Sequence, residues 1–392
     1  MLKCASLFTY EIDDPEAAFE GIKAQIDEKI SLLKHSIGII MCHPEFIHSG
    51  TAKYICEKLP FDVVGGTTSA QATNGEFAEL ILTIFVMTSD DVWFKTGITG
   101  CLEETIDEPV KTAFERAIEG SSALPALAII FLPLIMKYSG DPYVTAIQKV
   151  LPKMPIFGSI AIDDTLSYEA ARTIYNGENH KTAMSFVLCY GNIHPRFIVG
   201  TFPDDKVMSF KKGEVTKSSG SLVYEINNIS AYKYFQNIGF LGKDGFAQSF
   251  NLVPFVVEQR KRADYDGIPV IRGLAAFNEA GVAVFRGDIA EGSTFAIAIS
   301  EPDDVLSETR KKLEEMNNLS DINGALIFSC LGRRIMIMHL SPILELENAK
   351  DTINPGIPFT MGYAGGEVSP TSVRDGIPTN VFHNFSLIIL VV

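Results

Sequence analysis

The sequence lacks the short motifs that identify many metal-binding and nucleotide-binding proteins. Its six cysteines form no Cys-x-x-Cys pair, which argues against a zinc ribbon or a thioredoxin-like redox motif. The glycine-rich stretch at 239–245 has neither the spacing nor the hydroxyl residue of a phosphate-binding P-loop. Metal-ligand residue types cluster at 42–48, but Pro44 prevents a regular helix there and no His-Glu-x-x-His motif occurs. We therefore predict neither a metal nor a cofactor.

Positive charge and long apolar runs are also scarce. The 33 Lys and Arg residues against 48 Asp and Glu residues give a net charge of −15, which disfavours nucleic-acid binding. The longest apolar run, Ala123–Met136, has 14 residues and contains two prolines. A membrane-spanning helix needs roughly 20 apolar residues. Because the N-terminus also lacks the apolar segment of a signal peptide, we predict a cytoplasmic protein without membrane insertion.

The most informative feature that is present is an order of elements that recurs three times. Each copy has an opening strand, an acidic helix start, a helix, a buried strand, a second helix, a strand ending at glycine and a closing apolar strand. The predicted opening strands are Cys4–Tyr10, Val92–Ile98 and Thr294–Ser300. A unit of about 100 residues is longer than the roughly 20–50 residues of solenoid repeats, so we predict duplicated α/β modules.

The closing strands complete the predicted fold class. Phe77–Met87, Thr182–Cys189 and Phe382–Val392 follow soon after the glycine-ended strands, so we predict antiparallel hairpins between them. The fold class is therefore α/β with α+β character: repeated β-α-β-α-β-β modules that form mixed sheets flanked by helices. Region 192–292 differs, because it is rich in short strands and carries one predicted helix at Ser230–Asn237.

These patterns divide the chain into two predicted domains. The first covers residues 1–215 and contains modules at about 1–90 and 91–191. The second covers 216–392 and contains the third module at about 293–392. The polar stretch 211–221 is either the linker between the domains or a surface hairpin.

The first glycine-bearing turn is a candidate binding site. Thr67, Thr68 and Ser69 follow two glycines and place hydroxyls and backbone amides at the end of a strand. Such a turn can hold a carboxylate or another small polar group. The alternative is a tight turn whose hydroxyls bond to local backbone.

A second candidate follows the buried strand of the third copy. Arg333, at a strand end, can hold a carboxylate through two parallel hydrogen bonds. Cys330 lies nearby, and a thiol beside cations can have a lowered pKa and react readily. The alternative pairs Arg333 or Arg334 with carboxylates of the protein and leaves Cys330 in the core. No histidine with an asparagine or aspartate forms a recognisable cysteine-hydrolase signature.

Acidic residues at the other two glycine turns complete the candidate set. Tyr363 and Glu367 flank the turn of the third copy, and Asp163 occupies the corresponding place in the second. Either carboxylate could receive a ligand ammonium while an arginine of another module holds the carboxylate of the same ligand. The alternative is a glycine-rich turn with a solvated acid.

Seven segments, in order over nearly the whole chain, resemble the FIST family of paired FIST-N and FIST-C domains. That resemblance implies an intracellular sensory module that binds a small ligand such as an amino acid and works beside histidine-kinase, chemoreceptor or cyclase modules. The segments are DDPEAAFE (13–20), VVGGTTSAQATNGEF (63–77), PIFGSIAIDD (155–164), VYEINNISAYKYFQNIGF (223–240), AVFRGDIAEGS (283–293), ALIFSCLGRR (325–334) and MGYAGGEVSP (361–370).

We therefore predict a non-catalytic sensor of a small polar ligand. Because no length remains for an output domain, the signal is expected to pass to a separate signalling protein or through a homodimer. Two alternatives stay open: a hydrolase-like enzyme that uses Cys330 or a turn serine, and a scaffold whose cleft binds another protein.

Overall fold

The chain folds into three similar α/β modules and one additional sheet. The structure is a computed structural model that describes residues 2–165, 167–201, 206–241, 254–259, 269–374 and 376–392. Helices account for 25% of the chain and strands for 39%, and each module combines parallel and antiparallel pairs. The predicted fold class is therefore confirmed.

The first module begins with a helix whose start the sequence specifies. Asp14 accepts a hydrogen bond from the backbone N–H of Ala17 at 3.0 Å, and a proline occupies the first turn of α1. The apolar stripe of α1 packs on the outer face of the sheet. The elements of this module are β1 (Lys3–Thr9), α1 (Pro15–Lys29), β2 (His35–Cys42), α2 (Glu45–His48), α3 (Thr51–Lys58), β3 (Asp62–Thr67), β4 (Gln71–Thr73), β5 (Glu76–Ala78) and β6 (Leu82–Ser89).

The second module repeats this order with longer connections. Its two helices pack against each other on the outer face of its sheet. Its elements are β7 (Val92–Ile98), α4 (Asp107–Ile118), β8 (Leu127–Leu132), α5 (Asp141–Val150), β9 (Ile156–Ile160), β10 (Thr173–Tyr175), β11 (Glu178–His180) and β12 (Ser185–Gly191).

The third module is interrupted after its first strand. That strand is β13 (Arg196–Gly200), which pairs with the closing strand β25 (Leu387–Val391). The strand predicted at Thr294–Ser300 forms at Thr294–Ala298, but it belongs to the additional sheet, so its predicted place as the opening strand of this module is wrong. The elements of this module are β13 (Arg196–Gly200), α7 (Pro302–Asn317), β21 (Ala325–Cys330), α8 (Leu331–Ile337), α9 (Leu344–Thr352), β22 (Phe359–Ala364), β23 (Glu367–Arg374), β24 (Ile377–His383) and β25 (Leu387–Val391).

The interruption forms a seven-stranded sheet of its own. It surrounds an aromatic core that includes Phe235, Phe255 and Phe295, and the predicted short helix is confirmed as α6. Stretch 211–221 belongs to the antiparallel pair β14–β15, so it is a hairpin rather than a linker. The elements are β14 (Val207–Ser219), β15 (Leu222–Ile226), β16 (Ile229–Ser230), α6 (Ala231–Asn237), β17 (Pro254–Glu258), β18 (Pro269–Phe277), β19 (Ala283–Phe285) and β20 (Thr294–Ala298).

The closing strand of each module lies inside its sheet rather than in a hairpin. β6 pairs antiparallel with β1 and β2, β12 with β7 and β8, and β25 with β13 and β21. The predicted antiparallel direction is confirmed, but the predicted hairpin pairing is wrong. All residues of β6 and β25 are buried, and a strand buried on both faces is best covered in the middle of a sheet.

The modules exchange hairpins in a closed ring. Hairpin β10–β11 of the second module pairs with β3 of the first, and β23–β24 of the third pairs with β9 of the second. Hairpin β4–β5 of the first module pairs with β22 of the third. Each glycine-bearing turn noted in the sequence is therefore the start of a crossing from one sheet to the next. This exchange interlocks the two predicted domains.

The inner faces of the three sheets share one apolar core. Ile39 and Phe85 of the first sheet, Phe157 of the second, and Phe328 and Ile388 of the third belong to the same cluster of buried side chains. Phe157 and Phe328 stack with their ring centroids 5.5 Å apart. A core built from all three modules makes their relative placement part of the fold.

Candidate functional site

A cavity of about 260 Å³ lies where the second module, the third module and the additional sheet meet. The second module contributes residues beyond the carboxyl ends of β8 and β9, including Leu134 and Ile162. The third contributes Cys330 and the first turns of α8, and the additional sheet contributes residues of β18 and β19. In α/β proteins, ligands bind in crevices outside the carboxyl ends of parallel strands. The cavity occupies this position.

The cavity is apolar except for a few polar groups. Its aliphatic and aromatic walls come from all three contributing units. Within the described part of the chain, Arg286 is its one charged lining residue, and the others that can hydrogen-bond are Tyr138, Ser139, Tyr168, Ser221, Cys330 and Asn384. An apolar lining with a small number of placed polar groups is typical of small-molecule sites.

Arg286 places its positively charged guanidinium in the lining of this cavity. It follows β19 and is half-buried. Among the described residues its guanidinium has no carboxylate partner, and the one side-chain hydrogen bond that it makes there is to the Met136 sulfur, 4.0 Å from Nη1. A guanidinium that is partly removed from water and not neutralised by the protein is suited to hold an anionic group.

Asn384 supplies the complementary polar group. It follows β24 and is 3% exposed. Its Nδ2 donates to the backbone carbonyl of His383 at 3.1 Å, whereas its Oδ1 accepts no hydrogen bond from any residue that the structure describes. A buried acceptor without a donor costs about 1–3 kcal/mol, so this oxygen is expected to meet a ligand or a water molecule.

A buried polar group lies behind the cavity wall. Glu367 and His383 face each other across β23 and β24, and neither is exposed by more than 2%. Burial raises the pKa of Glu367, and a hydrogen bond from Ser386 at 2.7 Å lowers it in part. The net pKa is about 8. Burial, and then the charge of Arg272, lowers the pKa of His383 to about 3. Both side chains are therefore uncharged near neutral pH.

A buried ion pair holds the additional sheet against the second module beside the cavity. Arg272 of β18 donates from Nη2 to Asp141, the first residue of α5, at 3.1 Å, and both side chains are fully buried. Asp141 also accepts from the backbone N–H of Asp288 at 2.9 Å. Because Ser139 donates to Asp288 at 2.8 Å and lines the cavity, this network fixes one wall of the site.

The structure separates the residues selected from the sequence. Cys330 lines the cavity, and Glu367 lies behind it. Thr67, Thr68 and Ser69 lie buried in the crossing from β3 to β4, where Thr67 exchanges hydrogen bonds with the backbone of Arg172 and Thr68 donates to Ala70. They line no part of this cavity.

Asp163, Arg333 and Tyr363 have partners within the protein. Asp163 accepts from the backbone and hydroxyl of Thr165 and from Ala170, each at 2.7 Å, which orders its own loop. Arg333 pairs with Glu345 beneath α8, and Tyr363 is buried with the Arg334 guanidinium 5.6 Å from its ring. Arg334 in turn pairs with Glu79 and donates to Pro342 at 3.1 Å.

Sequence reasoning missed Arg286 and Asn384. Arg286 follows the strand of the segment AVFRGD, and an arginine followed by glycine at a strand end is a usable signal. Asn384 carried no comparable signal, because apart from Phe385 the residues that line the cavity with it are distant along the chain.

Cys330 is expected to react slowly with iodoacetamide at neutral pH. Burial, and then the Glu367 carboxyl, raises the pKa of its thiol, and the thiolate is the reactive form. We expect alkylation at least about tenfold slower than at the exposed Cys101, measured by peptide mass spectrometry. Labelling of Cys330 as fast as that of Cys101 would contradict this and would favour the hydrolase alternative.

Two further structural findings concern metals and membranes. In the described residues, no group of three or more His, Cys, Asp or Glu side chains is arranged to hold a metal ion. In the 42–48 segment, His43 instead lies 3.3 Å from Asp164. None of the helices described is both long and apolar enough to cross a membrane.

Family models match most of the chain. A model of the FIST N domain matches residues 36–229, and a model of the FIST C domain matches residues 231–370. No curated protein matches the chain. Among solved structures, that of PurLQS from Thermotoga maritima has 11% sequence identity and a TM-score of 0.18, with an alignment that covers 100% of this chain and 72% of that chain. A likeness this weak carries no argument about fold or function.

Proposed function

Because the chain belongs to the FIST family, whose domains are sensory domains of signal transduction, we propose that it senses a small carboxylic acid bound in the cavity. The observation that carries this proposal is the Arg286 guanidinium, which lines an apolar cavity without a carboxylate partner among the described residues. A volume of about 260 Å³ suits a small metabolite better than a polymer or a large cofactor.

The position of the cavity explains how ligand binding could change a surface that another protein recognises. Its walls come from three units that are joined by hairpin exchange and by the Arg272–Asp141 pair. A ligand that contacts all three favours the arrangement in which they are closed around it. We propose that a separate signalling protein of the kinase, chemoreceptor or cyclase type, or a second copy of the chain, reads this arrangement in the cytoplasm.

The proposed role is binding rather than catalysis. A cysteine hydrolase needs a thiolate nucleophile beside a base. The raised pKa of Cys330 keeps its thiol protonated, and the lowered pKa of His383 makes it a weak base. Among the described residues, neither ring nitrogen of His383 has a hydrogen-bond partner. A turn serine is also unsuited to be the nucleophile, because Ser69 is fully buried and does not line the cavity.

Replacing Arg286 by leucine is expected to weaken the binding of small carboxylic acids at least about tenfold. A hydrogen bond to a charged group contributes about 1.5–3 kcal/mol, and each 1.4 kcal/mol is a factor of about ten in affinity. The measurement is the rise in unfolding temperature with a panel of amino acids and small carboxylic acids, for the original chain and for Arg286→Leu.

Arg310→Leu is the matched control for that experiment. Arg310 lies exposed on α7 and bonds to Asn348 at 3.1 Å, and it is not among the residues that line the cavity. Its replacement is expected to leave the shifts unchanged. If no member of the panel raises the unfolding temperature of the original chain, the proposed function is wrong.

A further inference from the structure

Among the residues that the structure describes, the cavity offers a negatively charged ligand one cation and offers a positively charged group no free anion. Its described lining contains Arg286 but no aspartate or glutamate. The nearby acids are already engaged: Asp141 pairs with Arg272, Asp163 accepts three hydrogen bonds in its loop, and Asp288 accepts from Ser139. A ligand ammonium buried here would have no charge partner, which is strongly unfavourable.

Glu367 does not change this balance. It lies behind Cys330 rather than in the lining, and burial raises the pKa of its carboxyl to about 8. Near neutral pH it is therefore mostly uncharged. It cannot act as the anionic partner that an α-ammonium group requires.

The side chain of Asn384 favours a ligand group that is an uncharged hydrogen-bond donor. Asn384 belongs to the lining, and its buried Oδ1 receives no hydrogen bond from the described residues. A ligand hydroxyl can donate to this oxygen without bringing a positive charge into the apolar space. The same oxygen would stay unpaired beside a ligand that has only carbon at that position, which costs affinity.

The apolar walls of the cavity determine the chemical character of the rest of the ligand. Branched and aromatic side chains from the three units surround the polar groups, so the body of the ligand must be apolar to release water from them. The apolar lining residues include Leu134, Ile135, Ile162, Phe285, Leu331 and Phe385.

We propose that the cavity selects an apolar hydroxy acid over the corresponding amino acid, with the carboxylate on Arg286 and the hydroxyl on Asn384. This inference rests on the proposed function, because it names the class of ligand for the same site. It also departs from the amino acid that the family resemblance implies.

The test uses four compounds with one carbon skeleton. They are α-hydroxyisocaproate, isocaproate, leucine and α-hydroxyisocaproamide, titrated calorimetrically into the full chain at neutral pH. We expect α-hydroxyisocaproate to bind most tightly. Isocaproate should bind about tenfold more weakly, since it leaves Asn384 unpaired, and the uncharged amide should lose at least about tenfold through Arg286. Leucine should bind at least about tenfold more weakly than the hydroxy acid because its ammonium is unpaired.

Asn384→Ala separates the hydroxyl contact from general packing. In this variant α-hydroxyisocaproate and isocaproate should bind with similar affinity, while the affinity of isocaproate changes little. Leucine binding as tightly as the hydroxy acid would overturn the inference and leave the proposed site intact. An unchanged preference for the hydroxy acid in Asn384→Ala would also overturn it. Absence of binding by all four compounds would count against the inference and the proposed function together.

Discussion

Replacing Arg333 by methionine is expected to lower the free energy of unfolding by about 3–5 kcal/mol. The guanidinium is fully buried, and its Nη2 donates to Glu345 at 2.9 Å, to Thr309 at 2.6 Å and to the backbone carbonyl of Val305 at 3.1 Å. Methionine preserves much of the volume but removes every one of these donors. The variant therefore leaves the carboxylate of Glu345 buried without its cation.

The adjacent arginine provides the control. Arg334 itself is mostly buried, but its carboxylate partner Glu79 is half-exposed, so removing the arginine leaves a carboxylate that water can still solvate. Denaturant unfolding of Arg333→Met and Arg334→Met should therefore give clearly different losses. Adding Glu345→Leu to Arg333→Met should restore part of the stability, because the uncompensated charge is removed.

The same comparison decides between two roles of Arg333. The sequence alone left open whether Arg333 holds a ligand carboxylate or pairs with a carboxylate of the protein, and the structure pairs it with Glu345. If Arg333→Met costs no more stability than Arg334→Met but abolishes ligand binding, the ligand assignment is correct and the buried pair is not an important part of the core.

Replacing Glu367 by glutamine is expected to remove a dependence of stability on pH. The carboxyl in the unfolded chain loses its proton near pH 4.5, but burial raises its pKa in the folded protein to about 8. Between these values only the folded state holds the proton, so unfolding releases it and becomes easier as pH rises. The stabilisation is fully present below the lower value and is lost progressively up to the higher one.

The effect is measured as a difference between the original chain and Glu367→Gln. Glutamine has the shape of the protonated acid and can still accept the hydrogen bond from Ser386. Relative to this variant, the original chain should lose about 1.4 kcal/mol of unfolding free energy per pH unit between about pH 5 and pH 8. Thermal or denaturant unfolding at several pH values in this range provides the curve.

His383 does not confound this measurement. Its folded pKa of about 3 keeps it neutral over the whole range, and its titration in the unfolded chain is common to both proteins. A constant difference between the two proteins from about pH 5 to pH 8 would show that Glu367 is already ionised at the lower end. That result would contradict the assignment of a neutral carboxyl behind the cavity wall.

The additional sheet makes one junction of the ring different from the others. The three modules share strand order and hairpin exchange, yet the described cavity forms where β18 and β19 lie against the second and third modules. Arg286 reaches the site on this inserted sheet, while Cys330 and Asn384 reach it on the third module. The insertion therefore supplies both the cation and one wall of a site that the repeated modules alone do not provide.

Local features of the fold could be predicted from the sequence. The cap at Asp14, the proline after it and the apolar stripe of α1 lie within a few turns of one another, so their pattern is sufficient. The helix α8 was missed because it is short and has Gly332 in its first turn. The opening strand of the third module was misassigned because the insertion separates β13 from α7 by about a hundred residues.

The sequence by itself determined the three-fold recurrence, the class of the fold and which segments are buried, because periodicity and caps are local properties of the chain. The tertiary structure alone decided the central place of β6, the exchange of hairpins and the partners of each polar side chain. These depend on contacts between residues far apart, such as Arg272 with Asp141 or Asn384 with the cavity. An arginine in the sequence shows that an anion is needed; only packing shows whether Glu345 or a ligand provides it.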